Sequence, residues 1–152
     1  SEPPIRLKEK PVLDSLSNGA LVLSVILLGY SYGAPVSSIP LTVYIASFAV
    51  SAIHALGAIM DYSADKLAGT TTTATFFGRR LTAALALALV LAIIFFSGIK
   101  SQSLRMFFWY EAVTFGILAV KDDERLAKHL FSLSFLIALA SIAIFVYQQF
   151  YK

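Results

Sequence analysis

No cysteine occurs in the chain, which removes disulfide frameworks and thiolate chemistry from consideration. Charge is almost as scarce. Asp, Glu, Lys and Arg together make up 14% of the residues, where a soluble domain carries about a quarter. The few glycines and prolines form no repeat, so no low-complexity tract or linker divides the chain into domains. The opening SEPPIRLKEKP lacks the pattern of a secretory signal, a basic start followed by a short apolar core and a small-residue cleavage site. What remains is apolar: 58% of the 152 residues are hydrophobic and mean hydropathy is +0.78. That is the composition of an integral membrane protein.

Five segments are long and apolar enough to span a bilayer, at about 20 residues each. They run over Leu16–Ala34, Pro40–Met60, Leu81–Gly98, Leu104–Val120 and Leu130–Tyr151. In lipid each must be a helix, because an open strand would leave its backbone groups unpaired. The expected fold class is therefore all-α, a single multi-span transmembrane bundle covering residues 1–152. Lys and Arg divide unevenly between the alternate sides of these spans. Arg6, Lys8, Lys10, Lys66, Arg79, Arg80, Lys121, Arg125 and Lys128 fall on one side, and Lys100, Arg105 and Lys152 on the other. The positive-inside bias places the N-terminal stretch, the 61–80 loop and the 121–129 loop in the cytoplasm, with the spans in the cell membrane. FFWY at 107–110 and the tail FVYQQFYK fit aromatic anchors at the opposite interface. The pI near 9.2 thus reflects topology, and no nucleic-acid partner is expected.

One polar stretch stands out against this background, DYSADKLAGTTTTATFFGRR from Asp61 to Arg80. If the second helix continues past Met60, His54, Gly57, Asp61 and Asp65 share one face, at spacings of three and four. An Asp at mid-membrane costs ~2.5–3.5 kcal/mol, so the pair belongs at the membrane edge or in a wet cavity between helices. Converging carboxylates there suit Mg²⁺, a hard cation that takes one or two carboxylates together with phosphate oxygens and water. Lys66 adds a positive charge, and Gly69 with the threonines adds flexible backbone and hydroxyl donors. The plain alternative is that Asp61 and Asp65 are solvated helix-end residues paired with nearby cations. His54 either lines the cavity or hydrogen-bonds a neighbouring helix. Asp14 and Asn18 either reach the same cavity or cap the first helix. Glu111 is either part of an intramembrane path or an acid meeting water near the aromatic belt.

The string IHALGAIMDYSADKLAGTTTTATFFGRR resembles the second aspartate-rich motif of the UbiA family of intramembrane prenyltransferases. There D-x3-D is followed by a basic residue, Gly and Thr, and then by a Gly that starts the next helix. Asp61, Asp65, Lys66, Gly69, Thr72 and Gly78 occupy those places. SEPPIRLKEKPVLDSLSNG is similar to the cytoplasmic stretch before the family's fifth helix, and with HALGAIMD it is most like the carotenoid-type members such as lycopene elongases. The resemblance implies the second half of a nine-helix bundle whose cavity opens to the cytoplasm and to lipid. It implies Mg²⁺ at Asp61 and Asp65, with a prenyl diphosphate donor met by Lys66, Arg6 and Lys8. Thr72, His54 and Asn18 would complete the substrate-binding set. The acceptor would be a hydrophobic molecule, with a carotenoid such as lycopene favoured over a quinone precursor or a lipid, and membrane lipid would surround the bundle.

The family's first motif, N-x3-D-x3-D, is absent: Val22 and Ile26 stand where Asp would follow Asn18. The sequence therefore reads as the C-terminal part of such an enzyme, and the isolated chain is not expected to transfer prenyl groups. The motif of CDP-alcohol phosphotransferases ends G-x3-D-x3-D, which Gly57, Asp61 and Asp65 match. Its first half needs Asp and Arg upstream, and residues 40–56 contain neither. A transporter or scaffold module is the non-enzymatic alternative; unlike an enzyme, it does not require Mg²⁺-dependent binding of a prenyl diphosphate.

Overall fold

The computed structural model describes residues 10–150. Five long helices fall on the five expected spans: α1 (Leu13–Ser31), α2 (Leu41–Met60), α5 (Arg79–Phe96), α6 (Gln102–Val120) and α7 (Glu124–Phe150). Two short helices, α3 (Tyr62–Leu67) and α4 (Thr73–Phe77), lie in the polar stretch, and a 3-10 turn (Val36–Ser38) joins α1 to α2. No strand occurs among the described residues. Within those residues α1, α5 and α6 are each long and apolar enough to cross a membrane. The chain is an all-α membrane bundle.

α2 is the hub. It packs on α1, α5 and α7, while α5 packs on α6 and α6 on α7. Helices α2, α5, α6 and α7 therefore close a four-membered ring, with α1 laid against the outside of α2. Leu56, Ile59, Val90, Phe115 and Leu118 are its fully buried apolar centre. The outer faces are also apolar, as lipid contact requires: Leu21, Val25 and Leu28 of α1 are exposed at helical spacing, as are Phe135, Leu136 and Leu139 of α7.

Polar groups are inside. Glu111 of α6 and Ser134 of α7 are each 1% exposed, enclosed in the bundle and not at an interface with water. Thr114, one turn further along α6, is equally buried. These residues look across the α6–α7 contact, where side-chain polarity in lipid is normally turned toward another helix.

The polar stretch is more structured than a loop. Residues Thr72 and Thr75 form a reciprocal capping box that starts α4. Gly78 then turns the chain into α5 at φ +83°, a conformation that a side chain resists.

Candidate functional site

The second helix does not run uninterrupted to Asp65. Asp61 leaves helical geometry (φ −99°, ψ 8°) and ends α2, and α3 restarts at Tyr62. The hydrogen-bond ladder nevertheless crosses this point, since Asp61 N–H donates to Gly57 O at 3.0 Å and Asp65 N–H to Asp61 O at 2.9 Å. Register is kept through the break, so the face shared by His54, Gly57, Asp61 and Asp65 survives. All four line one cavity of about 500 Å³.

Asn18 and Thr72 line it as well, with Val50, Ile53 and Phe131 as apolar wall. So does Asp14, which brings a third carboxylate to the cavity. No lysine or arginine is among the lining residues described. Asp65 is half-buried, and loss of water raises its carboxyl above the ordinary value of 3.8. The Asp61 charge adds to that rise, a hydrogen bond from Thr72 opposes it, and Asp14 contributes a smaller rise. Among the described residues no three Asp, Glu, His or Cys side chains converge as a ready-made metal cage. The cavity offers a carboxylate pair instead.

Asp14 is the residue that the sequence described least. It is 3% exposed, and its carboxylate is committed to the threonine run 59 positions away. Oδ2 accepts from Thr73 N–H at 3.1 Å, and Oδ1 accepts from the Thr73 hydroxyl at 2.5 Å and from Ser15 N–H at 2.7 Å. The Thr73 hydroxyl accepts in turn from Val12 N–H at 3.0 Å. Val12 is at φ +70°, a strained backbone for a β-branched residue that costs roughly 1–3 kcal/mol and persists only where surroundings impose it. Asn18 is tied to the same helix start through Nδ2, which donates to Asp14 O at 2.8 Å.

The remaining candidates lie elsewhere. Lys66 is exposed and does not line the cavity; its Nζ is 3.5 Å from the Tyr62 hydroxyl and 5.5 Å from that ring's centre. Arg79 covers the same ring at 4.9 Å. Arg6 and Lys8 fall outside the described residues.

Arg79 also belongs to a network that holds α3 against the start of α7. Its Nε bonds to Asp122 at 2.5 Å and a terminal nitrogen to Glu124 at 3.2 Å. Glu124 accepts from the Ser63 hydroxyl as well, and Lys128 is 3.6 Å away. The Ser63 hydrogen bond, followed by the charges of Lys128 and Arg79, holds the Glu124 carboxyl below its ordinary 4.5. A depressed folded-state value contributes stability above the unfolded value and loses it as pH falls through the folded one. As pH falls below about 4.5, the unfolding temperature should therefore drop less in Glu124→Gln than in the parent. Parallel curves would show that the network adds nothing to stability.

No protein-family model matches the chain, and no solved structure matches it. Curated relatives do. Over 126 residues, 81% of the chain, it is 36% identical to a lycopene elongase/hydratase of Haloferax volcanii, covering 41% of that protein. It is 40% identical over 78 residues to the protein of the same name from Haloarcula japonica, 51% of this chain and 26% of that one. A third lycopene elongase/hydratase, from Halobacterium salinarum, is 40% identical over 80 residues, 51% of this chain and 28% of the relative. The chain thus spans less than half the length of these relatives.

Proposed function

We propose that this chain forms the diphosphate-binding part of a UbiA-type prenyltransferase that acts on a carotenoid. The observation carrying the reading is the cavity itself. It brings Asp61 and Asp65 together without a lining cation among the described residues, and Val50, Ile53 and Phe131 give it an apolar side.

The donor set fits Mg²⁺. Loss of water first and the Asp61 charge second raise the Asp65 carboxyl, and a divalent ion would favour the charged form of both carboxylates. Hard oxygen ligands in that number leave room for phosphate oxygens and water. Asp61 and Asp65 would hold the ion, which when bound neutralises charge on a departing diphosphate. The chain's own residues set the rest of the environment. Thr72 and Asn18 present polar atoms at the mouth, and Val50, Ile53 and Phe131 offer an apolar wall to an isoprenoid chain. Lys66 has an exposed, flexible side chain that can leave Tyr62 for a diphosphate. Arg6 and Lys8 carry the same expectation from sequence. The Lys and Arg bias turns the mouth toward the cytoplasm.

The relatives' names support a carotenoid acceptor, and the apolar part of the lining, Val50, Ile53 and Phe131, is compatible with such a hydrocarbon. The test is binding of geranylgeranyl diphosphate to the protein in lipid nanodiscs, measured with Mg²⁺ and again with EDTA. Binding should require the ion. Equal binding in EDTA would remove the metal-bridged reading and favour a lipid-binding or transport module.

A further inference from the structure

We infer that Asp14 is a positioning residue for the aspartate pair, fixing through Thr73 the threonine loop that Thr70 ties to Asp65. This inference rests on the metal reading proposed above for Asp61 and Asp65. Asp14 lines the cavity, yet its carboxylate does not behave as a ligand waiting for an ion. Both oxygens are engaged by Thr73 and Ser15. The carboxylate therefore acts on the loop.

The path is short and continuous. Asp14 lies in the first turn of α1, and Thr73 begins α4 directly after the Thr72 cap. On the other side, the Asp65 backbone carbonyl accepts from Thr70 N–H at 2.9 Å, and the Thr70 carbonyl accepts from the Thr75 hydroxyl at 3.0 Å. Loop residues 70–73 are thereby held between Asp65 on one side and Asp14 on the other. The positive φ of Val12 is an independent sign that this junction is imposed, because its N–H is aimed at the Thr73 hydroxyl. A carboxylate is needed at position 14. Asn has one oxygen and one NH₂ group, and cannot accept from Thr73 N–H and from the Thr73 hydroxyl on separate oxygens.

The test uses the protein in nanodiscs, with Mn²⁺ as spectroscopic probe and amide exchange as a readout independent of metal. Asp14→Asn and Thr73→Val should each weaken Mn²⁺ binding by about tenfold or more, the usual scale for groups that orient ligands. Both should also accelerate exchange at residues 70 and 73. Thr73→Ser keeps the hydroxyl and should restore affinity and exchange. Thr73→Val retains the Asp14 charge, so weakening in Asp14→Asn alone would assign the effect to charge and overturn positioning. A lowered unfolding temperature with unchanged Mn²⁺ affinity in both variants would reduce Asp14 to a fold staple, and overturn it too. If the parent binds no Mn²⁺, the metal reading is what fails. The loop-fixing role is then decided by exchange alone, and unchanged exchange in Asp14→Asn overturns it.

Discussion

Asp61→Ala should abolish Mg²⁺-dependent binding of a prenyl diphosphate while leaving the bundle folded. The expected loss is about a hundredfold or more, equivalent to ~2.7 kcal/mol or greater. Asp61 is exposed at the α2–α3 junction, and its fold-related bonds run through its backbone. Removing its carboxylate should therefore cost little stability. It should even relieve Asp65, whose carboxyl is raised by loss of water first and by the Asp61 charge second. A raised folded-state value means stability that is lost as pH rises through it, so this repulsion opposes folding at neutral pH. Binding is thus expected to fall while the unfolding temperature holds or rises, as at sites that give up stability for function. Asp61→Asn separates charge from shape: it keeps one oxygen, and about tenfold or greater loss is expected if charge drives binding. Isothermal titration beside a thermal melt reads both quantities. Full retention of Mg²⁺-dependent binding in Asp61→Ala would remove Asp61 from the site.

How far these features were legible from the chain depends on how local their causes are. The five helices follow from runs of apolar residues, and the cavity face follows from the three-and-four spacing of His54, Gly57, Asp61 and Asp65. Both are properties of neighbouring residues. The break at Asp61 did not disturb the face because hydrogen bonding continues across it. The role of Asp14 was not legible. Its partner Thr73 lies 59 positions along the chain, and LDSLSNG gives only the signal of a helix start. Lys66 illustrates the opposite case. Adjacent to Asp65 in sequence, it extends along α3 to Tyr62, because residues one apart on a helix point in different directions. The aromatic neighbours of Glu111 leave both interface water and an intramembrane path open, and the α6–α7 packing encloses it. That enclosure is a tertiary fact with no signature in local composition.

The α1–α2 crossing supplies the second large effect, in Gly19→Ala. Gly19 is buried on α1 against Ser47 and Ser51 of α2, small residues that let two backbones approach in lipid. A Cβ at Gly19 would lie 2.4 Å from Ser51 Oγ and 2.9 Å from the Ser47 carbonyl oxygen. The hydroxyl can rotate away, but the carbonyl moves only with the α2 backbone. Overpacking of this kind costs roughly 1–3 kcal/mol, equivalent to about 2–4 °C of unfolding temperature per kcal/mol at this chain length. Ser51→Gly in the same chain should recover part of the loss, since it clears the hydroxyl and leaves the carbonyl. Gly29→Ala is the contrasting substitution. Nothing lies within 4 Å of a Cβ there, and the higher helix propensity of Ala should leave stability unchanged or raise it by up to about 1 kcal/mol. Displacing α1 at Gly19 also moves Asp14, little more than one turn earlier on the same helix, away from Thr73. Gly19→Ala should therefore accelerate amide exchange at residue 73 as well as lower the unfolding temperature. A melt unchanged from the parent would mean that α1 and α2 do not cross at Gly19.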